Sequence, residues 1–165
     1  SVPSVEACVH ALKGALVKNR LENMPLLAEP GRVLVAESGS LIVRVELRKD
    51  NTLYINDGTY GGMFDAGPLL KTKFPARAYR VVGAFEQPES AFRFAGPSCD
   101  ALDVMEGPFL LPADIDMGDW IEIGDLGSYS RSLRTNFNGF GGSDALCLYS
   151  PGMMPAAKKR AVKNV

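Results

Sequence analysis

Residues 43–48 read Val-Arg-Val-Glu-Leu-Arg, an unbroken alternation of apolar and charged side chains. A period of two is typical of a β-strand with one face in a core and the other in water. The further segments that predict strands are short and separated by stretches rich in Gly, Pro, Asp and Asn; they are Thr52 to Asn56, Ala78 to Phe85, Ala91 to Phe94, Trp120 to Ile123 and Ala145 to Tyr149. Short strands at close spacing predict a mainly β fold, a barrel or a sandwich.

The residues before this β region predict one helix and one buried strand. Val5, Val9, Leu12 and Leu16 recur at helical spacing, with His10 partly exposed on the same helix. The short apolar run Met24 to Ala28 stops at Glu29-Pro30, as a buried strand would. Helix and buried strand make half of an α/β repeat, which cannot close a sheet without neighbours. We therefore interpret the chain as a piece of something larger.

Composition and charge narrow the possible partners. The chain has 165 residues, of which 46% are hydrophobic, enough for one globular domain of ordinary size. Eighteen basic against nineteen acidic side chains give a net charge of −1, which does not suit nucleic acid. No apolar run approaches the roughly 20 residues of a membrane span, and the first residues do not resemble a signal peptide. We predict a cytoplasmic protein with neither nucleic acid nor membrane as partner.

The reactive side chains are few. Cys8, Cys99 and Cys147 are odd in number and widely spaced, which favours free thiols over disulfides or a metal site. The single histidine, His10, leaves no material for a Ser–His–Asp triad or a multi-histidine metal site. Any chemistry is therefore expected to come from an external cofactor.

The segment Glu29-Pro30-Gly31-Arg32 lies where the predicted buried strand ends, and α/β barrels place catalytic and phosphate-binding groups at such ends. Gly31 allows backbone amides to approach a phosphate closely, and Arg32 can add a charge-assisted contact. Glu29 could keep a ring nitrogen protonated. The alternative is a turn with a surface ion pair.

The segment Gly96-Pro97-Ser98-Cys99-Asp100 places a thiol beside a carboxylate after a predicted strand. Cys99 can donate a proton to a carbanion, and Asp100 can hold a substrate ammonium. The alternative is a cysteine that serves only as inert packing.

Two further segments are rich in turn residues. Asp57-Gly58-Thr59-Tyr60-Gly61-Gly62 could bring backbone near a ligand, with Tyr60 and Asp65 facing it, or be a plain hairpin loop. Gly124 to Tyr129 is similar, and the hydroxyl of Tyr129 could hydrogen-bond a phosphate.

In this order and at this spacing, the segments from about Ser1 to Tyr149 resemble the alanine-racemase-type (fold type III) pyridoxal-phosphate decarboxylases that act on ornithine, lysine and diaminopimelate. The resemblance implies that residues 1–32 are the last helix and strand of an α/β (TIM) barrel. It also implies that residues 33–155 are the C-terminal β domain and residues 156–165 a basic tail. The expected cofactor is pyridoxal 5'-phosphate.

The resemblance also implies a role for each matching residue. Glu29 corresponds to the glutamate that pairs with the pyridinium nitrogen, Gly31 and Arg32 to the phosphate-binding turn, and Tyr129 to the tyrosine that caps the phosphate. Together these four residues would bind the cofactor.

The remaining matches concern the substrate. Cys99 corresponds to the cysteine that controls reprotonation after carbon dioxide is lost, Asp100 and Asp65 to acidic residues that receive the distal amine, and Tyr60 to an active-site tyrosine. The family builds its sites across a head-to-tail homodimer. Cys99 and Asp100 would therefore serve the partner's cofactor.

The substrate follows from a comparison within the family. Cys99-Asp100-Ala101-Leu102-Asp103 resembles the diamine-forming branch, whereas diaminopimelate decarboxylases typically carry Cys-Glu-Ser-Gly-Asp. A distal ammonium needs an anion to bind it. We expect ornithine or lysine to be converted to putrescine or cadaverine, a step of polyamine biosynthesis.

One expected element falls outside this chain. The family's Schiff-base lysine lies near the start of the barrel, and Ala161-Val162-Lys163 is not expected to replace it because it stands in a basic tail. We expect the chain to need the N-terminal barrel portion as partner and to be inactive alone. The alternatives are a non-catalytic interaction module that pairs with homologous decarboxylase subunits, and a free-standing β-barrel binding protein.

Overall fold

The computed structural model describes residues 4–148. Within that range the helices are α1 (Val5–Lys18) and the single turn α2 (Arg32–Val35). The strands are β1 (Leu41–Lys49), β2 (Thr52–Ile55), β3 (Ala76–Tyr79), β4 (Glu89–Ala95), β5 (Val104–Pro112) and β6 (Trp120–Ile123). Short 3-10 turns lie at Ala36–Ser38, Phe64–Ala66 and Phe137–Gly139.

The strands form one sheet in the order β3-β6-β1-β2-β4-β5. Neighbouring strands are antiparallel except for β2 and β4, which are parallel. β3 and β5, at the two ends of this order, contact each other, so the sheet is nearly closed into a barrel. Near-closure leaves little exposed strand edge. The predicted mainly β fold is confirmed, and the barrel is the form that it takes.

The core lies inside this barrel. β1 alternates as predicted from Val43 to Glu46, because Val43 and Val45 are fully buried while Arg44 and Glu46 are exposed. Leu47, predicted on the buried face, is 52% exposed, because the register with β2 shifts between Val45 and Leu47. The rings of Phe94 and Phe109 stack with their centroids 3.9 Å apart. The other large side chains that are fully buried come from every strand except β3 and include Leu53, Ile55, Phe92, Met105, Leu111, Ile121 and Ile123. Burying each contributes about 1.5–3 kcal/mol.

Helix α1 has the predicted position. Its first turn is capped by Ser4, whose Oγ accepts a hydrogen bond from the Ala7 N–H at 3.2 Å. None of its residues is buried among the other described residues: Val5 and Leu12 are each 48% exposed. The stability of α1 within residues 4–148 therefore comes from caps and propensity rather than from packing.

The segment Met24 to Ala28, predicted to be a buried strand, is irregular and exposed in the structure; the side chain of Leu27 is 99% exposed. The physical reason is that a buried strand needs hydrogen-bonded neighbours, and no strand within residues 4–148 pairs with it. The prediction of a strand at Ala145 to Tyr149 is also wrong, because residues 145–148 are irregular. Tyr149 and the tail 156–165 lie outside the described residues.

Two strands differ from the sequence-based prediction. β5 was not predicted, because Gly107-Pro108 has the composition of a chain break; in the structure these residues lie in a bulge, where the register between β4 and β5 shifts. β3 ends at Tyr79 rather than continuing to Phe85. Arg80 lies just beyond the strand, where its guanidinium binds the carboxylates of Asp114 and Asp119.

Candidate functional site

One group of predicted site residues meets around the guanidinium of Arg32, and we call it the Arg32 group: Gly31, Arg32, Asp65 and Tyr129. Arg32 forms an ion pair with the buried carboxylate of Asp65. Its guanidinium carbon lies 5.1 Å from the centre of the Tyr129 ring, a cation–π distance. The Arg32 side chain keeps 40% of its surface exposed. Two neighbours therefore orient a cation that can still reach a ligand.

Gly31 stands beside the Tyr129 hydroxyl. A Cβ at position 31 would lie 3.6 Å from that oxygen, and the Gly31 N–H donates no hydrogen bond to any residue of the range 4–148. The neighbouring Ser128 Oγ is buried and also has no partner in that range. Guanidinium, phenol and amide donors at one place suit a phosphate group.

Glu29 is the predicted cofactor residue that the structure does not bring to this group. It lies in the exposed irregular segment before Gly31 and forms no ion pair with other described residues. Its role toward a ring nitrogen stays a prediction.

A second group, the Tyr60 group, comprises Tyr60, Cys99 and Asp100. The Tyr60 ring packs against the Phe137 ring with centroids 4.3 Å apart. Loss of solvent and, next, the negative charge of Asp100 raise the pKa of the Tyr60 hydroxyl above its ordinary value. The tyrosine therefore stays a neutral hydrogen-bond donor in the physiological range.

Cys99 stands at the tip of its turn. It has a φ of 58°, in the left-handed region that few side chains adopt, and its thiol is exposed. Asp100 closes the turn by accepting a hydrogen bond from the Leu102 N–H at 2.7 Å. Exposure of the thiol does not fit the alternative of inert buried packing. The two groups share no hydrogen bond or ion pair among the described residues.

Buried Asp103 joins the two loops of the Tyr60 group. Its Oδ1 accepts from the Thr59 N–H at 2.7 Å, and its Oδ2 accepts from the Ser98 N–H at 3.0 Å and the Ser98 hydroxyl at 2.6 Å. Glycine is required at position 58, because a Cβ there would overlap the Asp103 carboxylate. Asp103 was not among the predicted site residues, although a carboxylate inside a turn-rich segment is a known sign of loop anchoring.

A second anchor not foreseen from the sequence is the buried ion pair between Arg134 and Asp57, with Nη2 and Oδ2 2.5 Å apart. Asp57 also accepts from the N–H groups of Gly58 at 2.6 Å and Gly62 at 2.8 Å. No local pattern pairs residues this far apart along the chain.

An open apolar cavity of about 560 Å³ adjoins the Tyr60 group. Its walls combine aliphatic and aromatic side chains with two threonines; the lining residues are Thr59, Tyr60, Phe64, Pro68, Leu69, Leu102, Leu133 and Thr135. Within residues 4–148, no cluster of His, Cys, Asp and Glu has the arrangement of a metal site. None of the helices described is long and apolar enough to cross a membrane.

Comparison with known proteins shows which protein family this chain matches. The family model for the C-terminal sheet domain of pyridoxal-dependent decarboxylases matches residues 17–127. The chloroplastic ornithine decarboxylase of Nicotiana glauca is 33% identical over 81% of this chain and 33% of its own length. This chain spans about one third of the length of the curated relatives that it matches.

Solved structures give the same result. The arginine decarboxylase of Paramecium bursaria Chlorella virus, bound to agmatine, aligns with a TM-score of 0.66 and 27% identity over 82% of this chain and 38% of that chain. The lysine/ornithine decarboxylase of Vibrio vulnificus, complexed with cadaverine, aligns with a TM-score of 0.62 and 25% identity over 82% of this chain and 38% of that chain.

Proposed function

Since the chain belongs to the pyridoxal-dependent decarboxylase family, whose C-terminal sheet domain it contains, we propose that it forms part of a decarboxylase of basic amino acids. The substrate is ornithine or lysine, and the product is putrescine or cadaverine. The observation that carries this proposal is the Arg32 group, where an oriented guanidinium, a phenol and a glycine amide lie together.

Pyridoxal phosphate, the cofactor of the family, fits these residues. Arg32 would bind the phosphate by charge-assisted hydrogen bonds, and the Tyr129 hydroxyl would donate a hydrogen bond to it. Gly31, which has no side chain, would let the backbone approach the phosphate closely. Glu29, two positions before Gly31, would hold the ring nitrogen. When bound, the cofactor supplies an electron sink for the electron pair that remains after carbon dioxide leaves.

The Tyr60 group and Asp65 would act on the substrate. Asp100 would receive the distal ammonium, and neutral Tyr60 beside it can donate a hydrogen bond to the substrate. Asp65, which pairs with Arg32 in the other group, would offer its carboxylate to the ammonium from that side. The exposed Cys99 thiol could return a proton to the carbon that has lost its carboxylate. In a head-to-tail homodimer, Cys99 and Asp100 would face the partner's cofactor.

The proposed location is the cytoplasm, and the cysteines support it. Cys8, Cys99 and Cys147 are all free and exposed, a state that a reducing compartment preserves.

Complementation tests the proposed function. The chain would be mixed with the N-terminal barrel portion of a homologous decarboxylase and pyridoxal phosphate, and carbon dioxide release would be measured from ornithine, lysine, arginine and diaminopimelate. We expect release from ornithine or lysine, and its loss in R32M but not in R93M, since Arg93 forms an ion pair with Glu106 and a hydrogen bond to Thr52 that are both exposed.

The other outcomes are equally informative. Release from arginine or diaminopimelate alone would show that the substrate is wrong while the decarboxylase activity is right. Association with the barrel portion without release from any substrate would support the non-catalytic interaction module instead.

A further inference from the structure

We propose that Arg134 is a positioning residue: its ion pair with Asp57 fixes the loop of residues 57–62 and thereby holds Tyr60 against Asp100. The importance of Tyr60 and Asp100 for catalysis rests on the proposed function. The positioning itself rests on the contacts of Arg134 and its neighbours.

The ion pair is largely buried, and both carboxylate oxygens of Asp57 have partners. The side chains of Arg134 and Asp57 are 12% and 9% exposed. Asp57 Oδ2 binds the guanidinium, while Oδ1 accepts the N–H groups of Gly58 and Gly62. One carboxylate therefore ties the two ends of the loop to each other and to Arg134. A buried charge that loses its partner is strongly unfavourable, so the loop would have to move when Arg134 is replaced.

The residues that follow Arg134 hold the middle of the same loop. The Tyr60 carbonyl accepts hydrogen bonds from the Thr135 N–H at 2.9 Å and from the Thr135 hydroxyl at 3.2 Å. The Phe137 ring packs on the Tyr60 ring. Segment 134–137 therefore contacts the loop at its ends, its backbone and its functional side chain.

The same segment reaches the second loop of the Tyr60 group. The Asn138 side-chain amide donates to the Ser98 carbonyl at 2.8 Å, directly before Cys99. Thr135 and Asn138 contribute neutral hydrogen bonds, which are about half as strong as charge-assisted ones. Arg134 therefore makes the strongest contact of segment 134–138, which supports the two loops from one side while Asp103 joins them directly.

The first test needs no catalytic activity. The ionisation of Tyr60 in the full chain is measured by ultraviolet difference titration against Y60F, for the unaltered chain, R134M, R134K and R93M. R134M should lower the pKa of Tyr60 toward its ordinary value, because the displaced loop exposes the hydroxyl to solvent and no longer holds it beside Asp100. R134K should keep it raised, since Nη1 of Arg134 has no partner among the described residues and one ammonium can replace the Nη2 contact. R93M is the surface control and should leave it unchanged.

The second test uses the complemented enzyme. R134M should raise KM for the amino acid by about tenfold, as expected for a displaced charge-assisted contact. Its affinity for pyridoxal phosphate should stay within twofold, because Arg32 and Tyr129 lie in the other group. A merely structural defect would weaken the binding of both the amino acid and pyridoxal phosphate.

Each test has a contrary result. An unchanged Tyr60 pKa in folded R134M would overturn the positioning role. A lowered Tyr60 pKa with an unchanged KM would support the positioning but overturn the substrate roles of Tyr60 and Asp100, which belong to the proposed function. If the unaltered chain releases no carbon dioxide from any substrate, the proposed function fails, while the titration still decides the inference. Should R134M not fold, D57N breaks the same ion pair, keeps an oxygen for Gly58 and Gly62, and is measured by the same titration with the same expected decrease.

Discussion

Replacing Arg32 tests phosphate binding separately from the other contacts of the proposed site. In R32M, we expect affinity for pyridoxal phosphate to fall by about tenfold or more, the value of a charge-assisted hydrogen bond. Affinity for pyridoxal, which has no phosphate, should not change. Calorimetric titration of the complemented enzyme with the two ligands measures the difference. Equal losses for both ligands would mean that Arg32 supports the fold rather than the phosphate.

At the residue scale, the residues that could be predicted are those that lie in short sequence motifs. The structure brings together Gly31, Arg32 and Tyr129, which the resemblance assigns to the cofactor, and pairs Arg32 with Asp65, which the resemblance assigns to the substrate. The roles of these residues stay predictions. The anchors Arg134 and Asp103 carry no such motif. Their roles depend on partners brought near by folding, such as Asp57, which lies 77 positions before Arg134.

Among the elements, the connection after β3 gives a prediction for acid stability. Asp114 accepts hydrogen bonds from the N–H groups of Glu86 and Gln87 and pairs with Arg80. The hydrogen bond from the Glu86 N–H is the largest of the contacts that lower the pKa of Asp114 below its ordinary value of 3.8. Arg80 is among the other donors that lower it. A carboxyl whose pKa is lower in the folded state stabilises the fold above its unfolded pKa. This stability should therefore be lost as the pH falls below about 4.

Thermal unfolding of the chain and of D114N, followed by circular dichroism at several pH values, measures this effect. D114N should have a lower Tm at pH 7 but a smaller further decrease in acid. Parallel curves for the two proteins would assign the acid sensitivity to carboxyls other than Asp114.

The helices and strands that were predicted correctly are those marked by a pattern within their own residues. β1 and β6 follow from alternation, and α1 follows from helical spacing and its Ser4 cap. β5 could not be predicted, because its Gly107-Pro108 bulge is stabilised by pairing with β4, far away in sequence. The run Met24 to Ala28 fails for the opposite reason: it has a strand's composition but no partner strand among residues 4–148.

For the whole molecule, the division into residues 1–32, 33–155 and 156–165 stays a prediction. The family model begins at residue 17, inside α1, and ends at residue 127. The apolar residues exposed near α1 and α2 therefore lie mostly within the family's domain, and they are the surface on which the barrel portion is expected to pack.

Leu27 gives the test of that surface. Its side chain is 99% exposed, so L27D should leave the Tm of the chain unchanged. In the complemented enzyme, however, a buried and unpaired carboxylate costs several kcal/mol, enough for about a hundredfold weaker association. Sedimentation velocity of the chain mixed with the barrel portion measures that association. L146D is the matched control, because Leu146 is 85% exposed and lies beyond the family-matched residues. Equal association for L27D and the unaltered chain would place the interface elsewhere, and the assignment of residues 1–32 to the barrel would have to be abandoned.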